Sequence, residues 1–162
     1  MLAASAALAI ASGGGAAATA WSWWAAPAEA PHDYLDGEEA AFLVALAAAL
    51  FPPGGTPALG GDVVGADRFV DQLMGCMPEF QRGGLKLLIN ALDNLAYLND
   101  LKPFRSLDRD EAERRVWAWL AAPLAEQRSA VQSLVMLVAM AYTTHPDVSP
   151  HFSRWTGCGY GL

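Results

Sequence analysis

Few residues of this chain could carry chemistry: three histidines, two cysteines and a scatter of carboxylates. His32, His145 and His151 lack the H-x-x-x-H or H-E-x-x-H spacing that sets two imidazoles on one helix face to grip a metal. His145 and His151 stand six apart across Pro146 and Pro150. Cys76 and Cys158 belong to no C-x-x-C pair, so neither a zinc ribbon nor c-type haem attachment is supported. No G-x-S-x-G nucleophile elbow occurs. The loop "PPGGTPALGGDVVG" has no G-x-G-x-x-G, no phosphate-binding lysine and no strand before it, so it is not a nucleotide loop. Asp93, Asp108, Asp110, Glu111 and Glu113 read as solvated helix faces or caps, with i,i+4 pairs Asp110–Arg114 and Glu111–Arg115. Met136 and Met140, at helical spacing, read as core rather than haem ligands. The residues therefore predict no catalytic, cofactor-binding or metal-binding constellation in this chain.

The two cysteines have a different chemistry open to them. Cys76 reads as a small buried apolar side chain. In an oxidising compartment it could instead bridge Cys158, or Cys158 could bridge a partner. Cys158 sits in the ending "HFSRWTGCGYGL", which holds Phe152, Trp155 and Tyr160, three glycines and no acidic side chain. Chain ends are usually polar and frayed; this one is aromatic and bendable.

The elements behind these residues read as all-α: a compact irregular bundle of about five helices with long loops and an extended C-terminal tail. Asp36 with Glu39 makes a capping-box start, and Phe42, Leu43, Leu46, Ala49 and Leu50 follow at helical spacing until Pro52 and Pro53. A second helix is predicted over 67–76, with Phe69, Val70, Leu73 and Met74 on its apolar side. Pro78 suits the first turn of a third helix, striped by Leu85, Leu88, Ile89, Leu92, Leu95 and Ala96 and ended by "LKPF". Asp108 and Glu111 cap a fourth helix through Val116, Trp117, Trp119 and Leu120. Pro123 divides it from the last, 124–142. Because 129–142 is apolar on nearly every face, that helix is expected at the centre of the bundle. It is not a convincing membrane span, since Glu126, Arg128, Gln132 and Ser133 shorten the apolar run.

Charge divides the chain. The net charge is −7, and no Lys or Arg precedes Arg68, whereas seven acidic residues do. No basic stripe exists, so nucleic-acid binding is not expected. Residues 1–30 read as a hydrophobic leader and linker, and 31–162 as the helical domain. The run Leu2–Ala11 resembles a signal-peptide h-region, and Ala16–Ala20 offers A-x-A-type cleavage sites. A basic n-region is missing; a start placed upstream could supply one, including a twin-arginine signal. An uncleaved anchor and a plain alanine-rich leader are the alternatives.

The order of these signals resembles the family of gluconate 2-dehydrogenase subunit 3. The resemblance runs over about residues 35–162. It rests on Glu38, Glu39 and Pro52 of the first helix, Pro57 and Ala58 of the loop, and Val64, Phe69 and Asp71 of the next helix. The step from Tyr142 to Pro146 and the finish Gly159-Tyr160-Gly161 complete it. The "THPDVSPHFSRW" segment departs from the pattern. The resemblance implies a non-catalytic small subunit of a periplasmic, membrane-associated FAD-dependent dehydrogenase of the glucose–methanol–choline type. FAD would be held by the large partner subunit, and haem c by a cytochrome c subunit where one is present; this chain would bind neither. It would assist maturation, export and assembly of the flavoprotein, which oxidises a sugar, sugar acid or alcohol. Under this reading Tyr142, His145, Pro146, Phe152, Trp155, Cys158 and Tyr160 form the partner-docking set, because aromatic residues dominate binding hot spots and glycines allow close approach. The tail folding back on its own helices, with a Cys76–Cys158 bridge, is the competing expectation. A stand-alone envelope module for lipid or a small apolar ligand, and a small helical metalloprotein, are the other function classes.

Overall fold

Asp36 starts the element on which the rest is built. Its carboxylate accepts hydrogen bonds from the amides of Glu38 and Glu39, while the Glu39 carboxylate accepts from the Asp36 amide, a complete capping box. The helix it opens, α1 (Gly37–Leu50), packs against six other elements described below. Phe42, Leu43, Leu46 and Ala47 are all buried. Each large apolar side chain so enclosed is worth about 1.5–3 kcal/mol.

In this computed structural model residue 19 and residues 21–153 are described. Among them the protein is all-α, without strands. A helical turn at 21–24 precedes α1. After α1 come a 3-10 turn (Gly61–Val63), α2 (Ala66–Gly75), α3 (Glu79–Leu95) and the one-turn α4 (Tyr97–Asp100). A second 3-10 turn (Phe104–Ser106), α5 (Arg109–Leu120), α6 (Ala125–Thr144) and the short α7 (Ser149–Ser153) follow. The one-turn pieces α4 and α7 account for the excess over the five helices expected. The second capping box, Asp108 with Glu111, opens α5 as its spacing predicts.

The central position belongs to α1, not to α6. Helix α1 touches α2, α3, α5, α6 and both 3-10 turns. Its alanines make this possible, because short side chains let neighbours close in from several directions. At Gly61 the approach is tightest: a Cβ there would overlap the Ala47 carbonyl, so only glycine fits. Helix α6 buries one stripe only, Val131, Leu134, Val138, Ala141 and Tyr142. Its apolar composition was expected to mean burial all round, yet Met136 is 67% exposed and Met140 45%. The expectation of core methionines is corrected accordingly.

The predicted stripe on α3 is confirmed in register, with Ile89, Leu92 and Ala96 buried and Leu85, Leu88 and Leu95 packed against the core. A run of rings ties α1 to the second half of the chain: Phe42 and Trp119 both lie against Phe104, with centroids 5.3 and 5.2 Å apart. No helix among the described residues is long and apolar enough to cross a membrane.

Candidate docking face

The buried charged groups are all engaged in holding the fold. Glu39, 1% exposed, accepts from the Lys86 ammonium at 2.6 Å and from the Asn90 amide at 2.7 Å. Lys86 also donates to the Tyr34 carbonyl at 2.8 Å. Burial pushes the Glu39 carboxyl above its ordinary value, and the Lys86 contact only partly offsets this. Asp71 accepts from three successive amides, those of Asp33, Tyr34 and Leu35, at 2.8–3.0 Å. Its burial works against ionisation, but the three hydrogen bonds prevail and hold the carboxyl below its usual range. His32 adds a 2.9 Å contact to Asp67. Residues 32–35 are thus pinned onto α2 and α3.

Asp93 is corrected from a solvated helix face to a buried anchor. It is 2% exposed and accepts from the Arg105 amide and guanidinium, while Arg105 reaches Glu38 at 2.7 Å. Burial raises its carboxyl, with Arg105 opposing. The expected Glu111–Arg115 pair along α5 is replaced by longer-range contacts, and Asp110 lies 3.6 Å from its neighbour Arg109. Glu111 binds Lys102 at 2.6 Å, and Arg115 grips Asp100 with two hydrogen bonds of 2.9 and 2.7 Å. No buried side-chain polar atom among the described residues lacks a partner.

The docking residues expected from the sequence fall into three groups. Tyr142 is buried: its ring stacks on Phe51 with centroids 3.9 Å apart, and its hydroxyl donates to the Leu59 carbonyl at 2.9 Å. It clamps the Pro-rich loop to α6, so its ring is not presented to a partner. His145, Pro146 and Phe152 do lie at the surface, with Phe152 45% exposed on α7. His145 ends α6, its Nδ1 accepting from the Asp147 amide at 3.3 Å. With Val63, Val64, Arg68, Phe69 and Thr144 it lines a groove of about 310 Å³. Trp155, Cys158 and Tyr160 lie outside the described residues, and with them the Cys76–Cys158 bridge. Cys76 is exposed at the end of α2, which overturns its reading as a buried apolar side chain.

A comparison with protein-family models, curated proteins and solved structures finds no match. The chain's own surface must therefore carry the reading. Its most distinctive part is the outer face of α6, which the sequence reading missed. No charged residue occurs from Ser129 to Thr144. The hydroxyls of Ser133, Thr143 and Thr144 donate to the helix's own carbonyls at 2.7–2.9 Å. Those side chains therefore turn carbon outward, beside the exposed Met136 and Met140. Helix α7, which carries the exposed Phe152, packs against α6. The signal was present as an uncharged run; its length was misread as a mark of centrality. Among the described residues no group of three or more His, Cys, Asp or Glu converges as metal ligands would.

Proposed function

We propose that this chain is a partner-binding accessory subunit, and that its partner is a periplasmic FAD-dependent dehydrogenase acting on a sugar, sugar acid or alcohol. The observation that carries the binding role is the outer face of α6 and α7, with Met136, Met140 and Phe152 exposed and no charge over 129–144. Methionine-rich surfaces adapt to apolar partners, and contiguous exposed apolar area marks interaction sites. The choice of partner rests on the motif order between Glu38 and Gly161 that resembles the gluconate 2-dehydrogenase subunit 3 family. FAD belongs to that partner, and haem c to a cytochrome subunit where one joins the complex. His145, Pro146 and Phe152 belong to the proposed docking set, as do Trp155, Cys158 and Tyr160 of the C-terminal sequence, which lie outside the described residues.

The reading is tested by finding whether a flavin-dependent dehydrogenase gene adjoins the gene for this chain and co-expressing the two chains. The expected result is one complex that carries flavin absorbance and oxidises its substrate, with no turnover by this chain alone. Oxidation by the isolated chain, or a neighbouring flavoprotein that ignores it, would refute the reading. Met136→Glu with Met140→Glu should weaken assembly at least tenfold, since each would bury an unpaired carboxylate in an apolar contact. Both side chains face solvent in the free chain, so its unfolding free energy should change by less than about 0.5 kcal/mol per site.

A further inference from the structure

A second apolar patch is built by the N-terminal segment. Trp21 and Trp24 are three apart in the helical turn at 21–24 and so lie on one side of it. Trp24 lies against Gly83 of α3, where any Cβ would overlap its indole. It meets Phe80 edge-on, with centroids 5.4 Å apart. Trp24 is half-buried, but Trp21 is 71% exposed and Phe80 77%. The turn's one hydroxyl, on Ser22, donates to the Thr19 carbonyl at 2.7 Å, leaving little polar capacity beside the rings.

Two observations name the surface that covers this patch. The first is the chain immediately before it: residues 1–18 contain no charged side chain, and the indoles follow at once. Tryptophan placed directly after an apolar stretch is the arrangement that seats an indole at the headgroup level of a bilayer. The second is charge. Asp33, Glu79, Arg82 and Lys86 line the cleft that Trp21 and Trp24 share. The Lys86 ammonium is held by Glu39, and the Arg82 guanidinium stacks 4.9 Å from the Tyr34 ring. Asp33 and Glu79 balance Arg82 and Lys86, so the border has no excess of basic groups, and an anionic surface gains nothing there. A zwitterionic interface matches both the aromatic composition and the charge.

We infer that Trp21, Trp24 and Phe80 form a membrane-interface patch that seats among zwitterionic headgroups and turns the first turn of α3 toward the bilayer. The test uses the full chain in a Cys76→Ser, Cys158→Ser background, with a nitroxide on Phe80→Cys, on Trp21→Cys or, as a control, on Met136→Cys. Each is mixed with phosphatidylcholine–phosphatidylethanolamine vesicles, and spin-label accessibility to oxygen is compared with that to a water-soluble nickel chelate. The labels on Phe80→Cys and Trp21→Cys should show severalfold higher oxygen-to-nickel ratios than the control, unchanged by high salt. All labels remaining aqueous would overturn the inference. So would a depth signal abolished by salt, or labels that become shielded only when the flavoprotein is added. The vesicles contain no partner, so failure here leaves the accessory-subunit reading standing, and failure of that reading leaves this patch untouched.

Discussion

Asp71 gathers three consecutive amides with one carboxylate, a burden no neighbour can assume. Hydrogen bonds to a charged group contribute about 1.5–3 kcal/mol each, less when partly solvated. Asp71→Ala should therefore lower the unfolding free energy by about 3 kcal/mol, measured by urea denaturation. Because the folded carboxyl is held below its ordinary value, its contribution is present above that value and is lost as pH falls through the folded one. Glu39 has the opposite sign. Its carboxyl is raised by burial, so this linkage favours the folded state at low pH and is lost as pH rises through the folded value. Acid titrations of Asp71→Asn and Glu39→Gln should accordingly bend in opposite directions from the parent curve. Glu39→Ala should cost about 3–5 kcal/mol at neutral pH, because it removes the acceptors of Lys86 and Asn90 together and leaves the Lys86 ammonium buried without that partner. Adding Lys86→Met should recover most of that loss; a double variant as unstable as the single one would show that Lys86 is not the group left stranded.

The helix starts were the most legible features, because a cap is a local interaction between residues three apart. Asp36 with Glu39 and Asp108 with Glu111 could both be read directly. The stripe of α3 was equally readable, since its period alone sets the buried face. What could not be read was which neighbours cover a helix that is apolar on several sides. Alanine-rich α1 and methionine-bearing α6 look alike in periodicity, and the choice of centre depends on packing across the whole chain. Asp93 escaped for the same reason: its partner, Arg105, comes from the following turn and not from its own helix. Of the residues expected to dock a partner, Pro146 and Phe152 are exposed and His145 is half-buried, while Tyr142 points inward. Leu101, at φ 57° and 87% exposed, closes α4 in a left-handed conformation that costs a non-glycine residue about 1 kcal/mol or more. Leu101→Gly should therefore stabilise the chain by up to about 1 kcal/mol, read from the midpoint of thermal unfolding; destabilisation would mean that the leucine packs more than its exposure shows.

For the molecule as a whole, the core closes with Val148, which is fully buried just before α7. Removing residues 154–162 should thus leave helix content and unfolding free energy unchanged while weakening flavoprotein binding roughly thirtyfold. That corresponds to the ~2 kcal/mol typical of a single aromatic hot spot such as Trp155. Unaltered binding with a lowered melting temperature would instead assign the tail to the chain's own surface. The Glu39–Asn90 contact closes a separation of 51 residues. Synthesis at about 5–20 residues per second separates those two ends by roughly 3–10 s. Throughout that interval the donors that satisfy Glu39 have yet to be added, and the apolar side of α1 has no α3 to lie on. Closure of the core around α1 therefore waits until α3 has been made, and a helper that holds the nascent chain would recognise the unpartnered apolar side of α1.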